Sequence, residues 1–328
     1  MSLWTHSEAE AATLGAASAP FAVDGLSIDT RTLRPGDLFV ALTGGNRDGH
    51  AFVQAAFDAQ AAAALVTHRP EGVTGALLTV AHTQRALEDL ARAARARSNA
   101  KVIAVTGSAG KTTTKEIMRL ALNALGRTHA SAASYNNHWG VPLSLARMPE
   151  SAAYAVFEIG MNHAGEITPL TRLVRPQVAV VTTIEPVHLE HFGSLDAIAD
   201  AKAEIFLGIE PGGVAVLNRD NAQFVRLAAA ARAAGVARIV TFGEDAKADA
   251  RLLDVSLHPD RSTVRANILG QDVTYKLGAP GRHVAFNSLA VLAAASLLGA
   301  DLALAAVSLA RLAPPAGRGA RITLTLPA

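Results

Sequence analysis

Val102–Lys115 reads VIAVTGSAGKTTTK. Its first five residues, Val102-Ile103-Ala104-Val105-Thr106, have the apolar, β-branched composition of a strand buried in a parallel sheet. Gly107-Ser108-Ala109-Gly110 breaks the strand, and Ile117, Met118, Leu120, Ala121, Leu122 and Leu125 then recur at helical spacing. Strand, glycine turn and helix make a setting for phosphate, because the first N–H groups of a helix lack partners and glycine lets the backbone approach an anion. On this reading Gly107, Ser108, Ala109, Gly110, Lys111, Thr112 and Thr113 cradle phosphates, with Lys111 on the outer ones and the Thr112 hydroxyl on Mg²⁺. The long form of the motif needs a glycine where Val105 stands, so what remains is the shorter G-x-x-G-K-T. A tight turn with a solvated lysine is the plainer reading; the strand before the turn and the helix after it favour phosphate.

The 328 residues are enough for two or three domains. Half the residues are hydrophobic and 18% charged, with a net charge of +2, as in a globular chain. The densest basic cluster, Arg92, Arg95, Arg97 and Lys101, has no interleaved aromatics and reads as a solvated helix face, so no nucleic-acid partner is expected. Without cysteine, disulfides and thiolate metal sites are excluded. The N-terminus lacks a basic segment followed by an apolar one, so a cytoplasmic chain without a signal peptide is expected. The Ala/Leu/Val-rich stretch from Val284 to Leu312 is interrupted by Asn287, Gly299, Asp301 and Arg311. It predicts two buried soluble helices, with a stop at Gly299 and a cap at Asp301, and no membrane insertion.

The expected fold is α/β: a small N-terminal α/β domain (1–97), a P-loop domain with a doubly wound, mostly parallel sheet and a small antiparallel portion (98–313), and a linker stub (314–328). In the first domain, strands are expected at 37–42, 64–66 and 77–80, and helices at 51–64 and 83–97. The polar loop Thr43–His50 either turns the chain or binds a phosphate or sugar. In the second, Ser134–Asn137 and Gly140–Pro142 read as a loop with room for polar contacts. Ala155–Gly160 is a strand carrying Glu158 near its carboxyl end, where a carboxylate beside a phosphate loop suits Mg²⁺. Val178–Thr182 leads to His188 and His191, which stand among Glu185 and Glu190 and read either as exposed loop histidines or as cation or phosphate groups. Ser194 caps a helix that carries Lys202 on or beside its apolar face, and periodicity leaves open whether that lysine snorkels to solvent or points at a metal site. Strands at 214–218 and 239–242, a helix at 223–234 and an antiparallel pattern over 250–277 complete the alternation.

Six stretches carry a resemblance: DTRTLRPGDLFVALTGGNRDGH (29–50), TGSAGKTTTKE (106–116), YNNHWGVPLSL (135–145), FEIGMNHAGEI (157–167), TTIEPVHLEHFGSLDAIADAKAEIF (182–206) and GRHVAFNSLA (281–290). In this order they resemble the Mur ligases of bacterial cell-wall synthesis, most closely those that join D-alanyl-D-alanine to UDP-N-acetylmuramoyl-tripeptide. The resemblance implies ATP and Mg²⁺ as cofactors, with Lys111 on the transferred phosphoryl group and Thr112 and Glu158 on one Mg²⁺. It further implies that His188 helps bind another Mg²⁺, that Lys202 carries a carbamate that ligates magnesium, and that Asn287 contacts adenine. Thr30, Arg31, Asn46 and Arg47 would hold the uridine diphosphate end, with Asn136 and Asn137 near the muramoyl part. The implied reaction phosphorylates the tripeptide carboxylate, and the amine of D-Ala-D-Ala then displaces phosphate; a monomer is expected.

The chain departs from the family pattern at Val284, where asparagine often follows the histidine, and in length. Family members carry a C-terminal domain of roughly 100 residues or more for the incoming amine, so the 328-residue chain is expected to bind nucleotides but to ligate poorly or not at all. Rival readings are a silent ATP and UDP-sugar binder, another Mur or folylpolyglutamate-type ligase, and a generic P-loop ATPase.

Overall fold

A computed structural model describes residues 2–45, 48–132, 135–187 and 192–313. They form two compact units, each with its own sheet. Of these described residues, the first unit takes those within 1–100 and 131–152; the second takes Lys101–Ala130 and those within 153–313. The single break expected at 97/98 is therefore corrected: 131–152, assigned to the central domain from sequence, packs with the first unit. The physical reason is helix packing, since Gly140–Ala146 is a fully buried helix lying on the helix Thr83–Arg97. The 140–142 stretch, read as loop, thus opens this helix, and Pro142 falls in its first turn, where a missing N–H costs little.

In the first unit, β1 (Trp4–Thr5) pairs with β3 (Ala22–Val23), and β2 (Ala16–Ala17), β4 (Gly25–Ser27), β5 (Asp37–Val40), β6 (Ala63–Val66) and β7 (Leu77–Thr79) form a sheet of order β2-β7-β6-β5-β4. Strands β4 to β7 are parallel, and β2 runs antiparallel at the edge. Phe39, Ala41, Val53, Ala64 and Val66 make one of its cores. The helix expected over 51–64 is shorter: a 3₁₀ turn at Gly49–Phe52, then Val53–Asp58, ending before Gln60 at φ 68°. An alanine run raises helix propensity, but Ala63 and Ala64 are needed in β6 beside Leu38 and Phe39.

The second unit holds a nine-stranded sheet of order β16-β15-β14-β13-β12-β11-β8-β10-β9. Its strands are β8 (Lys101–Thr106), β9 (Thr128–Ala130), β10 (Tyr154–Glu158), β11 (Val178–Val181), β12 (Val214–Asn218), β13 (Arg238–Gly243), β14 (Ala250–Leu257), β15 (Ser262–Ile268) and β16 (Gln271–Leu277). From β9 across to β14 all neighbours are parallel; β14, β15 and β16 form the expected antiparallel portion. β8 lies inside this sheet, and its Ile103 and Val105 pack with Ile117, Met118, Ala121 and Leu122 of the helix Lys111–Asn123. The helix Arg282–Leu297 buries most of its length, and Asp301 caps the next helix by accepting from Leu304 N–H at 2.8 Å. Among the described residues, no helix is long and apolar enough to cross a membrane.

Sheet order is what positions the site. β10 and β11 flank β8, so the chain crosses over β8 between them, and the loops leaving all three strands meet at one edge, as at the switch point of a doubly wound sheet. Ile103 is fully buried in the central strand, so Ile103→Ala should destabilise the chain by about 2–5 kcal/mol in urea denaturation.

Candidate functional site

Gly107 follows β8 with φ at 145°. A Cβ there would lie 2.0 Å from Thr182 Oγ1, so the turn has room only for glycine. Thr182, first after β11, holds this turn from the neighbouring strand: its hydroxyl lies within donating distance of Ala109 O and Thr106 O. Ser108 N–H donates to Thr183 O at 2.8 Å, and Ser108 Oγ donates to Glu185 O at 3.0 Å. Asn218 and Asn221 in turn donate to the 182–184 backbone. Gly110 is left-handed (φ 80°), and a Cβ on it would sit 3.1 Å from the Asn287 amide nitrogen. The structure therefore brings Asn287, from a distant helix, onto the loop.

The helical ladder starts with Thr114 N–H donating to Gly110 O at 2.8 Å. The N–H groups of Lys111, Thr112 and Thr113 precede it, at the positive end of the helix. Lys111 Nζ folds back over the loop and donates to Gly107 O at 2.7 Å. A glycine whose Cβ position is blocked, a second in the left-handed region, three leading amides and an ammonium group fit a chain of phosphates.

Glu158 ends β10 directly opposite Val105 of β8, one strand from the loop, and is buried. Among the described residues no three histidine, aspartate or glutamate side chains gather as a metal cage. The donors present, a threonine hydroxyl and a carboxylate, suit Mg²⁺, which takes few protein oxygens and leaves the rest to phosphate and water.

Lys202 lies on the helix Leu195–Ala203, whose first turn is capped by Ser194 Oγ accepting from Ala197 N–H at 3.1 Å. Burial removes one of the two readings of Lys202: the side chain does not snorkel, and the residue is 3% exposed. Burial, and then the charge of Lys111, lower its pKa from 10.5 to about 7. Its amine thus lies within electrostatic range of Lys111 and exchanges between charged and neutral forms near neutral pH.

In the first unit, Thr30 and Arg31 line a cavity of about 640 Å³ with Phe39, Phe52, Tyr135 and Trp139. Arg31 is paired with Asp29 at 2.6 Å and is otherwise exposed. Asn136 and Asn137 fall between two lining residues, and Asn137 Oδ1 accepts from Gly140 N–H at 2.9 Å, capping the buried helix. Asn46, Arg47, His188, Glu190, His191 and the 314–328 stub lie outside the described residues. Sequence reasoning gave no role to Thr182 or to the cavity's aromatic lining. Thr182 stands at a strand end in the sequence, but only the strand order shows which loop it meets.

The Mur ligase middle domain matches residues 105–295, and the Mur ligase family catalytic domain matches residues 22–121. The chain belongs to the Mur ligase family. Within that family it is 37% identical over 300 residues to the UDP-N-acetylmuramoyl-tripeptide–D-alanyl-D-alanine ligase of Escherichia coli (strain K12), covering 92% of this chain and 66% of that one. The chain thus spans just under two thirds of that relative's length. It is similar to the structure of the UDP-N-acetylmuramoylalanyl-D-glutamyl-2,6-diaminopimelate–D-alanyl-D-alanyl ligase from Acinetobacter baumannii (TM-score 0.86, 32% identity, covering 98% of this chain and 71% of that one). It is also similar to the MurF ligase of Thermotoga maritima in complex with ADP (TM-score 0.73, 27% identity, covering 88% and 66%).

The lowered pKa of Lys202 has a defined sign in stability. Between about 7 and 10.5 the unfolded chain binds the extra proton, so stability rises with pH across that window; below about 7 the cost of the buried charge is complete. In CO₂-free buffer the difference in unfolding free energy between the parent chain and Lys202→Met should shift in favour of the parent from pH 7 to 10. A difference independent of pH would contradict the buried, depressed amine.

Proposed function

We propose that the chain binds Mg-ATP on the loop Gly107–Thr113 and UDP-N-acetylmuramoyl-tripeptide on its first unit, and acts as a ligase toward D-Ala-D-Ala in peptidoglycan precursor synthesis. The observation that carries the reading is the glycine loop braced by Thr182 and covered by Asn287, with Lys111 folded across it and Lys202 within its electrostatic reach. The family resemblance and the ADP complex of the Thermotoga relative support it.

In this reading Gly107, Ser108, Ala109 and Gly110 and the amides of Lys111, Thr112 and Thr113 hold the phosphates, and Asn287 contacts adenine. Lys111 neutralises charge on the transferred γ-phosphoryl group, since phosphoryl transfer is chiefly positioning and charge neutralisation. Thr112 and Glu158 hold one Mg²⁺, and His188 helps hold a second. Mg²⁺, when bound, neutralises the phosphate oxygens and orients them. Lys202 carries a carbamate: its neutral amine bonds to the carbon of CO₂ and releases a proton, turning a buried cation into a carboxylate. A pKa near 7 supplies the neutral amine. Thr30, Arg31, Asn46 and Arg47 take the uridine diphosphate end, with Asn136 and Asn137 near the muramoyl part. The terminal tripeptide carboxylate attacks the γ-phosphorus and becomes an acyl phosphate as ADP leaves; the D-Ala-D-Ala amine attacks the carbonyl carbon, and phosphate and a proton leave as the amide forms. On the same reading the chain is a cytoplasmic monomer.

Lys111→Ala should weaken binding of a fluorescent ATP analogue by about a hundredfold, the loss of a charge-assisted contact, with the fold retained by circular dichroism. UDP-N-acetylmuramoyl-tripeptide should raise the melting temperature by mass action, and the corresponding dipeptide, which shares the uridine diphosphate and muramoyl contacts, should raise it by less. Phosphate release that depends on D-Ala-D-Ala marks a ligase. Saturable binding of both ligands without it leaves the second reading, a non-catalytic binder of ATP and UDP-sugar.

A further inference from the structure

Glu158 and Lys202 approach the site on separate elements, and a second carboxylate, Glu204, joins those elements. Glu204 opens the 3₁₀ turn Glu204–Gly208, two residues past Lys202 in sequence. Its side chain reaches the segment that leaves Glu158. One carboxylate oxygen accepts from Gly165 N–H at 2.5 Å; the other accepts from Thr168 N–H and from Thr168 Oγ1, both at 2.9 Å. These donors lie at the start of the helix Ile167–Val174. That helix makes no cap bond with its own N-cap side chain, Glu166, which turns back to Asn162 N–H at 2.6 Å and His163. The cap is supplied instead from a distant element, and its charge sits at the positive end of the helix.

Two further contacts make the junction rigid. Thr171 Oγ1 donates to Ile205 O at 2.8 Å, and a Cβ on Gly208 would lie 2.2 Å from Thr171 O. The segment that follows Glu158 and the helix bearing Lys202 are therefore bolted together at Glu204.

We infer that Glu204 is a positioning residue for the cation: by capping the helix Ile167–Val174 it fixes the placement of Glu158 relative to Lys202. This rests on the Mg-ATP reading of the site. Metal affinity depends on such outer supports, whose removal costs about 10- to 100-fold. An ordinary helix cap would affect stability alone.

The experiment titrates Mg²⁺ against binding of a fluorescent ATP analogue, and follows the Lys202 carbamate by ¹³C NMR with ¹³C-bicarbonate. Glu204→Ala should need about tenfold more Mg²⁺ for half-maximal binding and show a weaker carbamate signal. Glu204→Gln, which keeps one oxygen for the Thr168 donors, should fall between it and the parent, and carries the test if the alanine variant does not fold. Asp301→Ala removes a cap that takes no part in the site; it should lower the melting temperature and leave both readouts unchanged. A folded Glu204 variant with the parent's Mg²⁺ dependence and carbamate signal would overturn the inference and leave the nucleotide reading standing. A parent chain that shows no Mg²⁺-dependent nucleotide binding would overturn that reading first, and this inference with it.

Discussion

The site depends on a close approach between two neighbouring strands: the backbone leaving β8 at Gly107 passes against the hydroxyl of Thr182, at the end of β11. No side chain fits between them. The parallel pairing of Val181 with Thr106 sets this approach, so sheet register fixes the loop before any ligand does. From that constraint follow the bracing of Ser108 and Ala109 by the 182–185 segment, the fold-back of Lys111, and the seat of Asn287 over Gly110. The donors are arranged in advance, and such preorganisation makes electrostatic stabilisation effective.

The cations of the site are unequal. Lys111 lies at the loop mouth with its ammonium on backbone carbonyls, whereas Lys202 is buried, and the charge of Lys111 opposes its own. A lysine so placed destabilises the fold while it is protonated. Strongly perturbed groups beside a ligand loop mark chemistry more often than stability. Glu158 brings a carboxylate group from β10, one strand from the loop, so the edge of the sheet combines a glycine turn and a lysine with an oxygen donor.

Much of this was legible in the chain itself. The β-branched run before Gly107 and the helical spacing after it identified β8, the loop and the helix, because a buried parallel strand and an amphipathic helix have different periods. Ser194 and Asp301 were readable as caps for a local reason: a side chain bonds an amide three residues on. Strand order was not readable, since it depends on which distant strands pair; hence the roles of Thr182 and the location of Asn287 against Gly110 emerged only in three dimensions. Burial of Lys202 was ambiguous because a lysine on a helix flank can extend or fold inward. The alanine-rich 51–64 segment misled because alanine favours helices yet packs as readily in a crowded strand. The placement of 131–152 was missed for a similar reason: its helix has few apolar repeats and is defined by the neighbour it buries against.

That excursion has a bearing on how the molecule is made. The indole N–H of Trp4 donates to Ala146 O at 3.0 Å, and Arg147 Nε donates to Leu26 O at 2.6 Å, so the earliest residues are tied to a segment synthesised well over a hundred residues later. By then β8 and β9 of the other unit have already been added. The first unit cannot close in order of synthesis, as a contiguous domain does. Its completion waits on the return of the chain, and a cut near residue 100 would leave its helix Thr83–Arg97 without the surface it covers.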